Sequence, residues 1–147
     1  MIDISIKTFK ELNTTELYDL LQLRSEVFVV EQNCVYQDID GKDQKSIHIL
    51  GYKDSTLVAY TRLFAPGDYF KECSIGRVVV AKTERQNKYG YDIMNASIDA
   101  ARSYFGQGPI KLSAQSYLKK FYNDLGFKEV GEEYLEDGIP HVAMIRL

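Results

Sequence analysis

Few side chains in this 147-residue chain can carry chemistry, and they lie in separate stretches. Its only histidines are His48 and His141, and its only cysteines are Cys34 and Cys73. A nucleophilic cysteine needs a base beside it, and just these two histidines are on hand to serve. Two cysteines far apart, with no metal-like spacing, read as free thiols. A second chemistry needs no reactive side chain. Ser74-Ile75-Gly76-Arg77-Val78-Val79-Val80 is a β-rich run that feeds a polar loop, Thr83 to Lys88, and then a helix beginning near Gly90. Strand, loop and helix start make an anion site, because unpaired backbone N–H groups converge there with the positive end of the helix. Arg85 and Lys88 add charge at the same place, Gly90 admits close approach of a ligand, and a pyrophosphate suits such a site. The competing reading is a plain strand-to-helix joint. Tyr122, in Phe121-Tyr122-Asn123-Asp124-Leu125-Gly126-Phe127, offers a phenol, although adjacent aromatics on a helix are ordinary core material.

The elements that must position these groups follow from periodicity. Ile2 to Phe9 alternates as a strand, and Leu20, Leu23, Val27 and Val30 recur at helical spacing after a cap at Thr14 or Thr15. Asn33 to Lys45 is polar and reads as a loop or short irregular helix. Ile47 to Tyr52, Thr56 to Phe64 and Ser74 to Ala81 form an antiparallel meander. Tyr91, Met94, Ile98, Ala101 and Phe105 mark one helical face, stopped by Gly106 and Gly108. Ile110 to Ala114 is a strand, and Tyr117, Leu118, Phe121, Tyr122 and Leu125 share a helix face ended by Gly126. Lys128 to Tyr134 and His141 to Leu147 form a hairpin around Asp137-Gly138. A meander with one helical crossover gives an α/β (α+β) class: a mixed, mostly antiparallel sheet flanked by helices on both faces.

Composition sets outer limits. The chain is one domain, 1–147, with no repeat or linker, and 45% hydrophobic with 27% charged residues is the mixture of a folded protein. A net charge of -3 with no basic cluster argues against nucleic acid as a partner. No signal peptide and no membrane-length apolar run is present, so the expected home is the cytoplasm. Whether the chain stays monomeric or forms a homodimer is left open.

Taken in order, IGRVVV, RQNKYG at the head of a helix, AQ and FYNDLGF resemble the conserved segments of the GNAT superfamily of N-acetyltransferases, over nearly the whole chain. LRSEVFVVEQ, the DIDGKD loop, His48 in the next strand and EDGIPH resemble its ElaA-like branch more specifically. Autoinducer synthases are similar to the same superfamily and also carry an early R-x-x-V-F stretch, but are longer.

The resemblance implies a fold, a cosubstrate and roles. Acetyl-CoA or coenzyme A would be held at Arg85, Gln86, Asn87, Lys88, Tyr89, Gly90 and Tyr91, where the family pattern R/Q-x-x-G-x-G/A has Lys88 in place of its first glycine. The strand at Val78, Val79 and Val80 would part from the strand near Ile110 to Ala114, admitting the pantetheine arm beside Gln115, with Gly76 at a bulge. Tyr122 matches the position that protonates the departing thiolate. The base is open among His48, Glu31, Glu72 and His141. Glu31, His48, Arg77, Asp137 and His141 would frame the acceptor, a small-molecule or peptide amine, with Glu31, His48 and His141 close together. Either histidine reads as structural ahead of catalytic, and Asp38, Asp40 and Asp43 as a solvated loop or as an attraction for a cationic acceptor. No metal site is expected. A non-catalytic acyl-CoA sensor is the alternative of another class.

Overall fold

The computed structural model describes residues 2–147. Seven strands form one sheet in the order β1-β2-β3-β4-β5-β7-β6: β1 Asp3–Thr8, β2 Ile47–Lys53, β3 Thr56–Phe64, β4 Cys73–Val80, β5 Ile110–Gln115, β6 Lys128–Glu136 and β7 Ile139–Arg146. Every pairing is antiparallel except β4 with β5, which the crossover helix α2, Tyr89–Phe105, makes parallel. The α+β sheet expected from the element order is therefore present, with a helical layer on each face.

Helix α1, Thr14–Arg24, covers one face. Its cap is Asn13, one residue before the expected threonines: Asn13 Oδ1 accepts from the Glu16 amide at 2.7 Å, and Glu16 Oε1 accepts from the Asn13 amide at 2.9 Å. Leu20, Leu23 and Val27 pack on Leu50, Tyr60 and Val79. The expected fourth member of that face, Val30, is 72% exposed. From Ser25 to Glu31 the backbone widens into a π-helical stretch, closed by bonds from Gln32 N to Val27 O and Cys34 N to Val29 O. The wider turn rotates Val30 off the sheet. Helix α2 covers the other face with Ile93, Met94, Ile98 and Ala101, against Ile49, Leu63 and Ile75. The short helix α3, Lys119–Asp124, adds Tyr122 to the same core, whereas Tyr117, expected on that face, is 74% exposed in the preceding turn. Among the described residues no helix is long and apolar enough to cross a membrane.

The β6–β7 hairpin turns at Asp137 and Gly138, both at positive φ (52° and 77°), which fixes Glu136 opposite Ile139 and Tyr134 opposite His141.

Candidate active site

Strands β4 and β5 are paired only at Cys73 with Ile110 and Ser74 with Lys111. Beyond Ser74 they diverge, and the edge of β4 that faces β5 carries backbone amides with no strand partner. A cleft of about 760 Å³ occupies the gap. The expected parting of these strands is thus observed, but the bulge lies one residue later than expected. Tyr60 faces Val79 and Arg62 faces Gly76, so Thr61 alone spans Arg77 and Val78, and it is Arg77 that adopts the left-handed conformation, at φ 51°. That conformation is costly for a residue with a Cβ. Arg77 is held there by its side chain: Nε lies 2.7 Å from Asp38 Oδ1, Nη2 donates to the Asp38 carbonyl at 3.0 Å, and the guanidinium sits over Tyr36.

Asp38 belongs to a buried lattice. Arg24 Nε donates to Asp38 at 2.9 Å and its Nη1 to Asp43 at 2.8 Å, while Arg62 donates to Asp43 at 2.8 Å and to Asp40 at 2.6 Å. The acidic loop is neither solvated nor offered to a cationic acceptor; its carboxylates neutralise three arginines and pin residues 38–43 beside the bulge. Burial alone would raise the Asp40 and Asp43 carboxyls, but the arginine hydrogen bonds outweigh it and hold both below the usual range.

At the wide end of the cleft a 3₁₀ turn, Lys82–Asn87, leads into α2. Lys88 takes φ 62°, the left-handed conformation for which the family pattern uses glycine, and no side chain caps the helix. Tyr91 N donates to the Lys88 carbonyl at 3.2 Å, which leaves the Tyr89 and Gly90 amides at the start of α2 for an anion. A Cβ on Gly90 would come within 3.2 Å of the Phe121 ring, so this glycine serves close packing of α3 on α2. Val78, Val79, Val80, Lys88, Tyr91 and Gln115 line the cleft. Gln86 and Asn87 are exposed outside it, and the Tyr89 side chain is buried in the core, so of these three just the backbone can face a ligand. Arg85 lines the cleft but is already engaged by Glu31. Those hydrogen bonds hold the Glu31 carboxyl below its ordinary value.

Tyr122 lines the cleft from α3, 5% exposed, packed edge-on against Phe121 and Phe127. Burial, and after it the neighbouring Tyr117, raises its phenol above the ordinary tyrosine value, so it stays protonated.

The other wall belongs to the hairpin. His141 Nδ1 donates to the Ile139 carbonyl at 2.7 Å, which leaves Nε2 as the basic nitrogen, 3.5 Å from Glu136 Oε2. Glu136 Oε1 accepts from Ser113 at 3.4 Å, and Ser113 also bonds the Tyr134 hydroxyl. Asp137 and Cys34 line the same end, the Cys34 thiol lying 3.4 Å from the Asp137 carbonyl. Sequence reasoning missed Ser113, Tyr134 and Glu136, although counting back from the Asp137-Gly138 turn places Tyr134 opposite His141.

Two expected bases are elsewhere. His48 is fully buried on β2, with Nε2 donating to the Asp43 carbonyl at 2.9 Å and Nδ1 accepting from Tyr60 at 2.6 Å. Burial lowers its pKa, and it supports the lattice instead of facing the cleft. It does not join Glu31 and His141, which do line one cavity. Glu72 lies before the closed end of β4, in a separate depression with Cys73 and Phe105. Both cysteines are free thiols; burial pushes Cys73 up to about 11, which makes it inert.

The Acetyltransferase (GNAT) domain model matches residues 11–147. Protein ElaA of Escherichia coli K12 is 46% identical over 138 residues, 92% of this chain and 90% of that protein. The crystal structure of Escherichia coli ElaA matches with a TM-score of 0.93 at 44% identity, over 100% of both chains. An acyl-CoA N-acyltransferase from Pseudomonas aeruginosa matches with a TM-score of 0.92 at 42% identity, over 99% of each. A CoA-dependent acyl-homoserine lactone synthase, 15% identical with a TM-score of 0.77 over 99% of this chain and 82% of that one, shares the fold alone.

Proposed function

This chain belongs to the GNAT acetyltransferase family, and from that premise we propose that it transfers an acyl group, typically acetyl, from acyl-CoA to a primary amine by direct attack in a ternary complex. The observation that carries this reading is the parting of β4 from β5 with Tyr122 buried in the wall of the gap. The unpaired β4 edge offers donors to the pantetheine amides and the thioester carbonyl, and the uncapped start of α2 offers amides to the pyrophosphate. The acceptor, a small molecule or peptide and neither nucleic acid nor a membrane, enters beside the hairpin.

In this mechanism the ammonium first loses a proton to Nε2 of His141, and Glu136 stabilises the resulting imidazolium. The free amine attacks the thioester carbon and the C–N bond forms. As the C–S bond breaks the Tyr122 hydroxyl protonates sulfur, the proton still carried by the attacking nitrogen passes through solvent to the Tyr122 phenolate, and His141 returns its proton to solvent. Positioning supplies most of the acceleration, with about 10²-fold or more from proton transfer. A cytoplasmic location suits a protein whose cysteines are thiols and whose cosubstrate is acyl-CoA.

The test is incubation with acetyl-CoA and a panel of primary amines while free thiol is followed. Amine-dependent thiol release is expected. Coenzyme binding with no release for any amine would mark a sensor, and release only from acyl carrier protein thioesters would mark an autoinducer-synthase-like enzyme.

A further inference from the structure

The cleft continues past the Arg77 bulge to the point where β4 and β5 join, and the transfer step leaves this end unused. Its wall is Phe64, stacked on Tyr69 at 5.0 Å, with Phe70 edge-on to Tyr69 at 4.9 Å. Each ring carries a cation: the Arg62 guanidinium lies 4.9 Å from Phe64, Lys111 Nζ 4.9 Å from Phe70 and Lys42 Nζ 6.0 Å from Tyr69. Two buried donors there have no partner, the Ser74 hydroxyl and Arg62 Nε, on side chains whose residues are each 1% exposed. A buried donor left unpaired is costly, so a pair of them on two residues that line one cleft marks the place of an acceptor group. The nearby Asp40 and Asp43 cannot fill it, because they already bind the terminal nitrogens of Arg62. The hairpin end of the cleft has the opposite sign, with Glu136 and Asp137.

Asp40 and Asp43 neutralise Arg62, so the positive sign of this end comes from Lys42 and Lys111, and we propose that the amine acceptor also carries a carboxylate, bound by Ser74 and Arg62 Nε while its amine faces Glu136 and His141. This rests on the acyl-transfer reading above and narrows its substrate class. Ser74 is paired with Lys111, and Ser113 lies two residues further along β5. Even at the paired-strand spacing of about 4.8 Å, a rise of about 3.3 Å per residue separates Ser74 and Ser113 by about 8 Å between Cα atoms, and the divergence of β5 beyond Ser74 adds to this. An α-amino acid holds its two charges closer than this span, whereas an ω-amino acid with a spacer of several carbons fits it. A diamine would place its second ammonium against the cation-bearing rings.

The experiment compares 6-aminohexanoate, hexylamine and 1,6-diaminohexane as acceptors with acetyl-CoA, in the wild type, Ser74→Ala and Ser74→Asp. The expected result is kcat/KM at least tenfold higher for 6-aminohexanoate than for either other amine. That ratio should fall toward one in Ser74→Ala and invert toward the diamine in Ser74→Asp. Equal or better use of hexylamine or the diamine by the wild type overturns the proposal and leaves acyl transfer standing, as does a preference that Ser74→Ala does not reduce. If no amine is acetylated, the acyl-transfer reading fails. Calorimetry in the presence of coenzyme A then decides the site separately: binding of 6-aminohexanoate tenfold tighter than hexylamine supports it, and equal affinity overturns it.

Discussion

Arg85 donates to Glu31 through both terminal nitrogens, at 2.5 and 2.7 Å, tying the loop before α2 to the last residue of the π-helical stretch. The cation expected at the pyrophosphate thus has a competing carboxylate partner. Glu31→Gln should tighten coenzyme A binding by releasing Arg85, and Arg85→Ala should weaken it about tenfold, the low end for a charge-assisted hydrogen bond. Calorimetric Kd values check this, and an unchanged Kd in both variants removes Arg85 from the site. The pair also has a pH signature. Because Arg85 depresses the Glu31 carboxyl, its small stabilisation is complete above the ordinary glutamate pKa of about 4.3 and is lost as pH falls through the lowered value.

Tyr122→Phe should lower kcat about 10²-fold while acetyl-CoA affinity stays close to wild type, since the ring and its packing on Phe121 and Phe127 remain. Burial raises the phenol above the ordinary tyrosine value of about 10, so the deficit should be uniform from about pH 6 to 9. A deficit confined to the alkaline side of that range would contradict the assigned role.

Lys88→Gly should stabilise the fold. The left-handed conformation costs a residue with a Cβ about 1–2 kcal/mol, and glycine gives back about 0.5–1 in unfolded-state entropy. A net gain of about 0.5–1 kcal/mol is a melting-temperature rise of about 2 °C. Arg77→Gly relieves the same kind of strain yet should destabilise by about 2 kcal/mol, because it also deletes the contacts with Asp38 and Tyr36. Denaturant titration of both variants tests the contrast.

Asp43→Asn should cost about 3 kcal/mol, since Arg24 and Arg62 each lose a buried partner. The wild-type contribution of Asp43 is fully present above pH 5 or so and disappears as pH falls through its depressed pKa. His48 acts at a milder pH. Its pKa is lowered by burial, so stability holds above about pH 6.5 and declines as pH falls toward the folded value, where Nδ1 would have to give up the Tyr60 hydroxyl. Urea midpoints measured between pH 7 and 5 should drop in the wild type, and His48→Gln should remove much of that slope.

The succession of strands and helices and the crossover through α2 were legible in the residues, because alternation and helical spacing survive wherever one face is buried, whereas the parting of β4 from β5 was implied by the family resemblance. The π-helical stretch was not legible. Leu20, Leu23, Val27 and Val30 keep an α-helical rhythm on paper, and only the i to i+5 bonds turn Val30 outward. Charge misled in a similar way: Asp38, Asp40 and Asp43 look solvated until Arg24, Arg62 and Arg77, scattered along the chain, fold onto them. His48 looked reactive because histidine chemistry is visible in a sequence while its burial is not. At the cleft, Tyr122 and the loop before α2 stood out as motifs, whereas Ser113, Tyr134 and Glu136 had only their register to mark them.

The extra residue at Arg77 also makes β4 sensitive to insertion and deletion in a way that its composition hides. Ile75 packs with the α2 core, but Val79, four positions later, packs with α1, although an unbroken strand would send both to the same side. Shortening the strand by one residue between them would exchange the destinations of Val78, Val79 and Val80 at a stroke. The valines of this chain therefore tolerate exchange one at a time for other apolar residues, while deletion of a single residue in the same stretch turns the cleft wall inside out.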